Sequence, residues 1–247
     1  MLRKPALYLT LLLILQACMA HAGPWSRAEG EVFLSLSAER DRDGNSYTGL
    51  YGEYGMRSRQ TLGFELGHSN AGESSALIWW QRALDDGDGP NRFAISSGIG
   101  VLERDGKLVG LAQVGASWGR GFDTLPWLRD VPGGGWLAVD ARIKLANSDD
   151  EEPDRTPDEH GRWSNRQVYN TPKTTVKTDV TLGWHASSSM MLINQLRLED
   201  RDDTGFAAKL ASSVVRDIGP AKLELGVVMK LSGEGEHAVK IGTWFKF

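Results

Sequence analysis

Residues 237–247 read HAVKIGTWFKF, and apolar and polar side chains alternate along this stretch. The apolar positions are Val239, Ile241, Phe245 and Phe247. Lys240 and Lys246 fall between them, and a period of two places the two sets on opposite faces of a β-strand. A terminal phenylalanine that frays in water gains no burial, so the apolar face of this strand requires a cover. The segment therefore predicts a strand that rests against either a protein core or a lipid bilayer.

The same alternation recurs along the chain. Residues 221–231, AKLELGVVMKL, place leucine, valine and methionine on one face and lysine and glutamate on the other. Short runs of this kind, separated by clusters of Gly, Asp, Asn, Ser and Pro, are typical of an all-β protein. Twelve runs are present, at 31–40, 46–56, 61–69, 75–83, 92–104, 107–119, 136–146, 174–185, 190–200, 204–215, 221–231 and 237–247. The clearest of them keep a coherent apolar face over about nine to eleven residues, the length of a tilted strand that crosses a bilayer.

The connectors between these runs fall largely into two sets. Several odd-numbered connectors are polar or acidic, as at 41–46 and 147–173, whereas even-numbered ones such as 57–60 are short. Short turns at one end, longer loops at the other and an even strand count are typical of an up-and-down barrel with both termini on one side. The connector at 121–135 is long for the short-turn set and departs from this pattern. We predict one antiparallel, up-and-down transmembrane β-barrel domain of 12 strands over residues 23–247.

The N terminus has the features of an export signal. Two basic residues precede a largely apolar run over residues 6–15, which is too short to span a membrane as a stable helix. The sequence AHA at 20–22 then supplies the small-x-small pattern of a cleavage site. We predict a signal peptide over residues 1–22. The stretch LQAC at 15–18 also resembles a lipobox, which would lipidate Cys18.

Removal of this segment changes the charge and the redox chemistry of the chain. The segment contains two of the 28 basic residues and none of the 32 acidic ones, so the exported chain would have 26 basic residues and a net charge of −6. This acidic balance argues against a nucleic-acid surface. The only cysteine is also removed, so the exported chain would have no disulfide.

With these features, the chain resembles the bacterial outer-membrane β-barrel superfamily over nearly all of residues 23–247. The alternating apolar residues that end at Phe247 resemble the C-terminal signal that the barrel assembly machinery reads in that superfamily. The stretch at 51–67 also resembles its strand–turn–strand hairpins. The resemblance implies a location in the cell outer membrane, assembly by that machinery, and contact with outer-membrane lipid and lipopolysaccharide. The resemblance specifies a fold and a cellular location rather than an activity.

A soluble periplasmic barrel with a lipocalin-like binding pocket is the alternative fold, because its strands alternate as well. The placement of aromatic residues favours the membrane barrel, since tryptophan and tyrosine concentrate at membrane interfaces. Eight of them lie mostly toward strand ends, as in an interfacial girdle: Trp79, Trp80, Trp118, Trp136, Trp184, Trp244, Tyr47 and Tyr54.

The polar faces of the strands predict the lining of the lumen. By alternation this lining comprises Glu53, Glu65, Asp140, Arg142, Lys144, Lys177, Asp179, Arg197, Glu199, Lys209, Lys222, Glu224, Lys230 and Lys240. Charges inside a barrel must be hydrated or paired, so the lumen holds either water or a network of ion pairs. We predict a narrow channel for small solutes of unspecified identity, with a non-conducting structural barrel as the alternative. The later strands are richer in lysine, so we expect an anion preference that depends on Lys177, Lys222 and Lys240.

One stretch suggests catalysis instead. Residues 67–72, GHSNAG, resemble the H-x-S-N core of two outer-membrane lipid hydrolases, the phospholipase A and the lipid A 3-O-deacylase, in which His is the base and Ser the nucleophile. His68 and Ser69 are adjacent here, so a regular strand directs them to opposite faces, and Ser74 or Ser75 would have to replace Ser69. We expect His68 to lie away from all three serines. A contact with Ser74 or Ser75 would favour the hydrolase over the channel.

Such a hydrolase needs two further elements. An acidic or amide side chain must orient the imidazole, and Asn70 and Glu73 are the local candidates. Backbone amides must also stabilise the oxyanion, a role that would fall to Ala71 and Gly72.

The sequence predicts no metal site and no cofactor. The acidic residues between 149 and 159 lack the ordered ligand spacing of a calcium loop, and the prolines among them favour an extended surface loop. His185 and His237 are isolated. Glycines such as Gly98 and Gly100 occupy strand positions rather than a phosphate-binding strand-to-helix turn.

Overall fold

The computed structural model describes residues 23–104, 106–146, 174–202, 204–233 and 235–247. Twelve strands account for most of them: β1 (Val32–Asp41), β2 (Ser46–Arg57), β3 (Gln60–Ser69), β4 (Glu73–Ala83), β5 (Asn91–Arg104), β6 (Lys107–Gly121), β7 (Gly135–Ala146), β8 (Thr174–Ser187), β9 (Met190–Arg201), β10 (Gly205–Ile218), β11 (Ala221–Ser232) and β12 (Ala238–Lys246). A short 3-10 helix, Phe122–Thr124, follows β6. The described residues contain no helix with the length and apolar character needed to cross a membrane. The predicted signal peptide at 1–22 and the predicted acidic loop at 147–173 lie outside the described residues.

The strands form one closed antiparallel barrel in which each strand pairs with its neighbours in sequence, and β1 pairs with β12. At this junction the backbones of Val32 and Phe247 exchange two hydrogen bonds of 3.1 and 2.9 Å. We call this the terminal end of the barrel, and the end that contains the connector at 41–46 the loop end. Closure pairs both edges of every strand, so the backbone polar groups are satisfied within the wall. The predicted 12-stranded up-and-down barrel is confirmed.

Large apolar side chains cover the outer surface of the barrel. Ile78, Ile99 and Val239 expose 60%, 74% and 65% of their surface, and exposed large apolar residues occur on all twelve strands. An apolar surface of this extent is unfavourable in water and is suited to acyl chains. A soluble barrel has the inverse arrangement, so the structure does not favour the lipocalin-like alternative. The outer face of the last strand, including the final residue, consists of Val239, Ile241, Phe245 and Phe247, together with Thr243.

The predicted aromatic girdle is wrong for half of its members. Tyr47, Trp79, Trp136 and Trp244 lie on the inward positions of their strands. Trp80, Trp118, Trp184 and Tyr54 keep the outward positions. The indoles of Trp79 and Trp136 lie over Gly63 and Gly183, the residues directly opposite them, where an added Cβ atom would overlap the ring. The two glycines therefore make room for large side chains inside the barrel.

The long connector at 121–135 packs against the terminal end of the barrel. Its side chains Phe122 and Leu125 are buried. The Pro132 carbonyl accepts a 2.8 Å hydrogen bond from Nε1 of Trp184, and the Gly134 carbonyl accepts a 3.0 Å bond from the amide of His185. These contacts attach the connector to the end of β8.

Candidate functional site

The barrel interior contains a cavity of about 560 Å³ near the loop end. Thr204 and Gly235, which belong to loop-end connectors, lie at its edge. Nine charged side chains from the strands line it: Glu65, Arg142, Lys144, Lys177, Asp179, Arg197, Glu199, Arg201 and Lys209. Six of these nine are basic, so the wall carries an excess of positive charge. We call this part of the lumen the open half.

Ion pairs organise most of these charges. The three closest pairs are Arg142 Nη2 to Asp179 Oδ2 at 2.5 Å, Lys177 Nζ to Glu199 Oε2 at 3.0 Å, and Arg197 Nη1 to Glu39 Oε1 at 2.9 Å. In the β7–β8 register Arg142 lies opposite Lys177. Arg142 pairs with Asp179 of β8, and Lys177 pairs with Glu199 of β9. Lys144 and Lys209 have no ion-pair partner among the described residues. Glu65 is the acidic side chain of the open half that likewise has no ion-pair partner in the described part of the chain.

A layer of four side chains forms the floor of the open half. Tyr51, Arg142, Asp179 and Gln195 line both the large cavity and a second cavity of about 190 Å³ that lies deeper in the lumen. The deeper cavity is bounded by Gly23, Glu53, Trp79, Gln81, Gln113 and Asp140, among others. We call the lumen from this layer to the terminal end the closed half.

Residues 23–31, which precede β1, occupy the closed half. The carbonyl of Gly23 accepts a 3.0 Å hydrogen bond from Nε2 of Gln81, and the amide of Arg27 donates a 3.0 Å bond to Oγ1 of Thr61. The Arg27 guanidinium forms an ion pair with Glu53, and both side chains are almost fully buried. We call residues 23–31 the internal segment. It is held by hydrogen bonds and an ion pair to the inner wall of β2, β3 and β4.

Apolar packing also blocks the closed half of the lumen. Trp25 of the internal segment packs against a buried cluster of Trp136, Ala138, Met191 and Val215, which come from three strands. Trp244 packs against the same cluster and meets Phe33 edge to face, with ring centres 6.1 Å apart. The cation of Arg27 lies 4.4 Å from the centre of the Phe33 ring. Aromatic side chains and the internal segment together occupy the closed half around the deeper cavity.

The fourteen residues predicted to line the lumen are divided between these regions. Eight line the open half, namely Glu65, Arg142, Lys144, Lys177, Asp179, Arg197, Glu199 and Lys209. Glu53 and Asp140 border the deeper cavity. The remaining four, Lys222, Glu224, Lys230 and Lys240, border neither cavity. Among the residues that the prediction omitted, Glu39 and Arg201 follow the same alternation along their strands and could have been found by it.

The three lysines on which the expected anion preference depends are all held in ion pairs. Lys222 Nζ lies 2.7 Å from Asp217 Oδ1, and Lys240 Nζ lies 2.7 Å from Glu224 Oε1. Lys177 is paired with Glu199. A carboxylate thus lies beside each of the three lysines, and their part in an anion preference stays a prediction.

The hydrolase hypothesis receives one contact that we did not expect. His68 Nδ1 lies 3.0 Å from Ser74 Oγ, so the expectation that His68 avoids all three serines is wrong. The two residues are directly opposite in the β3–β4 register, and both are on the outer face of the barrel. Ser75 lies on the inner face, where its hydroxyl faces Gly67. Cross-strand pairing brought His68 to Ser74, which the spacing along one strand did not reveal.

The other parts of a hydrolase are engaged elsewhere. Asn70 uses its side-chain oxygen to accept a 2.8 Å bond from the Ser46 amide, and its nitrogen to donate a 3.0 Å bond to the Gly44 carbonyl. Glu73 forms an ion pair with Arg104. The amides of residues 71 and 72 both donate to Ser69, at 3.2 and 3.1 Å. His68 and Ser74 therefore form an exposed hydrogen-bonded pair, without the predicted orienting group or oxyanion hole.

Within the described residues, no group of three or more His, Cys, Asp or Glu side chains is arranged to hold a metal ion. His185 lies against Trp136, with ring centres 5.6 Å apart. His237 Nδ1 accepts a 3.2 Å hydrogen bond from the Lys230 amide. Both histidines thus have local structural contacts.

Comparisons with known proteins agree with the barrel architecture. No protein-family model matches the sequence, and no curated protein matches it either. Among solved structures, the NanC porin superposes with a TM-score of 0.54 at 14% identity, over 87% of this chain and 100% of that one. A KdgM porin in complex with disordered oligogalacturonate has a TM-score of 0.54 at 7% identity, over 88% and 99%. LpxR from Salmonella typhimurium has a TM-score of 0.50 at 10% identity, over 86% and 99%. The chain has the fold of the bacterial outer-membrane β-barrels.

Proposed function

We propose that this protein is a narrow channel of the outer membrane that admits small anionic solutes from the loop end. The observation that carries the proposal is the open half, a cavity of about 560 Å³ with six basic and three acidic side chains inside a closed barrel. A charged cavity in the lumen of a barrel raises the local concentration of counter-ions and favours their entry.

The location in the outer membrane rests on the outer surface. A band of apolar side chains on all twelve strands is suited to acyl chains, and the barrel closes without a free edge. We expect the protein to fractionate with outer membranes and to migrate differently on gels before and after heating. Deletion of Phe247 should reduce assembly, because it removes both the last apolar residue and its two backbone bonds to Val32. Recovery of the wild-type chain as a soluble periplasmic protein would contradict this location.

The anion preference rests on the two lysines of the open half that lack an ion-pair partner within the described residues. An ammonium group that is not held in an ion pair keeps part of its attraction for a passing anion. Lys144 lies on β7 and Lys209 on β10, so they come from separate parts of the wall.

Planar-bilayer recording of the purified, folded barrel tests the channel. We expect discrete conductance steps, with a reversal potential in a salt gradient that shows preference for the anion. The internal segment narrows the lumen, so the unitary conductance should be small. Folded protein that inserts into the bilayer without producing steps would favour the non-conducting structural barrel.

Hydrolysis at the His68–Ser74 pair is the second candidate, favoured by the 3.0 Å contact alone. Purified barrel incubated with phospholipid or with lipid A should release no fatty acid, because the predicted orienting and oxyanion groups are engaged elsewhere. Release of fatty acid that is lost on Ser74→Ala and retained on Ser69→Ala would establish the hydrolase.

A further inference from the structure

The internal segment begins beside a carboxylate in the middle of the barrel. Gly23, its first residue, has a φ of +89°, and a Cβ atom built on it would lie 2.9 Å from Oδ2 and 3.1 Å from Oδ1 of Asp140. Asp140 is the sixth residue of β7, well away from the terminal end, and Gly23 is fixed there by its bond to Gln81. The segment therefore runs from the middle of the lumen down to β1 at the terminal end.

Asp140 has neither a hydrogen bond nor an ion pair among the described residues. Arg142, two positions along the same strand, pairs with Asp179 instead. Asp179 also lies directly opposite Asp140 in the β7–β8 register, so a second carboxylate adds to the local negative charge. A carboxylate at this depth of the lumen, beside the deeper cavity and opposite a second carboxylate, is stabilised when a cation reaches it.

We infer that export processing supplies this cation: the α-ammonium group of Gly23, released by cleavage after Ala22, forms an ion pair with Asp140 inside the barrel. The inference rests on the predicted cleavage site and on the geometry of Gly23. Signal peptidase hydrolyses the Ala22–Gly23 peptide bond, and water supplies the oxygen that becomes part of the Ala22 carboxylate. The nitrogen leaves as the amine of Gly23 and takes up a proton.

The stereochemistry of glycine permits this pair. Once Gly23 is the first residue, nothing upstream restrains its nitrogen. Rotation about the Cα–C bond then moves the nitrogen to the tetrahedral position where the built Cβ atom lies, at hydrogen-bonding distance from both oxygens of Asp140. This rotation moves the nitrogen and leaves the following peptide plane in place, so the Gly23 carbonyl keeps its bond to Gln81.

The ion pair would fix the upper end of the internal segment. Arg27 already holds the middle of the segment through Glu53 and Thr61. A second attachment at Gly23 would keep the segment in the closed half and leave its N terminus shielded from solvent. Processing of the precursor thus completes the closure of the lumen.

Amine labelling of the folded, processed barrel tests the inference. The mature protein is treated near neutral pH with an N-hydroxysuccinimide ester, and mass spectrometry follows acylation of the N-terminal peptide with time. A protonated, buried ammonium group acylates slowly, so we expect Gly23 to react about tenfold more slowly in the folded barrel than in urea. The exposed Lys107 provides an internal reference for reagent activity.

Asp140→Asn should raise the labelling rate of the N terminus in the folded fraction, identified by its heat-modifiable migration. Glu65→Gln is the matched control, because it removes a carboxylate of the open half that borders the cavity away from Gly23. It should leave the rate unchanged. If Asp140→Asn fails to fold, the comparison of folded and urea-treated wild type still decides. Equal rates in those two states, equal rates in wild type and a folded Asp140→Asn, or a mature N terminus other than Gly23 would overturn the inference.

Discussion

The two halves of the lumen share one barrel wall but differ in their contents. In the open half, charged side chains border a cavity, and the ion pair between Lys177 and Glu199 keeps 34% and 31% of its side-chain surface accessible. In the closed half, the pair between Arg27 and Glu53 keeps only 4% and 6%. Alternation along the strands is the same in both. The difference teaches that strand periodicity decides which face a residue occupies, whereas side-chain volume and one inserted segment decide whether that face borders water.

The sharpest way to break this difference is to remove the internal segment. Deletion of residues 24–30 should raise the unitary conductance roughly threefold, because it empties the narrowest part of the lumen. Planar-bilayer recording measures this directly. Replacement of the same residues by a Gly/Ser sequence of equal length is the control, and it should give an intermediate or fluctuating conductance. An unchanged conductance after deletion would show that the segment does not limit the pathway.

The buried ion pair of the closed half has the next largest expected effect. Arg27→Ala should lower the free energy of unfolding by about 3 kcal/mol, because it leaves the Glu53 carboxylate buried without its cation. Tyr51 still donates a 2.5 Å hydrogen bond to Glu53, which limits the loss. Urea titration of the heat-modifiable band measures the change.

The double variant Arg27→Ala/Glu53→Gln should recover a large part of that stability, since the unpaired charge is removed together with its partner. Equal stabilities of the single and double variants would mean that the ion pair contributes little to the closed half.

The packing of tryptophan over glycine gives a smaller effect. Gly63→Ala should destabilise the barrel by about 1–3 kcal/mol, because the added methyl group overlaps the buried Trp79 indole. Gly110→Ala is the matched control in a strand, since a Cβ atom at Gly110 meets nothing within 4 Å. This control should be neutral or slightly stabilising, because glycine weakens a strand. The same urea titration compares the two, and a Gly63→Ala variant as stable as the control would contradict the tight packing.

The smallest effect concerns the charges of the open half. The double variant Lys144→Gln/Lys209→Gln should reduce the anion-to-cation permeability ratio about twofold, because both unpaired ammonium groups are lost. Lys222→Gln/Lys240→Gln removes two lysines that are paired outside the cavities and should change the ratio less. Reversal potentials in a salt gradient measure both ratios. A larger change in the second variant would show that residues outside the open half determine the anion preference.

The sequence by itself determined the strands, their number and the side of the wall that each residue occupies. The period of two at residues 237–247 and in eleven other runs is a local property, because successive side chains of a strand point in opposite directions. The apolar outer face and the charged inner face, from Glu65 to Lys209, follow from the same rule. The resemblance of the residues that end at Phe247 to an assembly signal is local in the same way.

Only the tertiary structure decided which residues meet. Cross-strand register placed Trp79 over Gly63 and His68 beside Ser74, and the curvature of the closed wall brought Arg197 of β9 to Glu39 of β1. Residues 23–31 have no periodicity of their own, and their place in the lumen depends on Glu53, Thr61 and Gln81 from three different strands. Those partners come together when β2, β3 and β4 pair, and the segment reaches them only by folding back into the lumen. A barrel's wall is encoded locally, but the contents of its lumen depend on side chains that strand pairing and closure bring together.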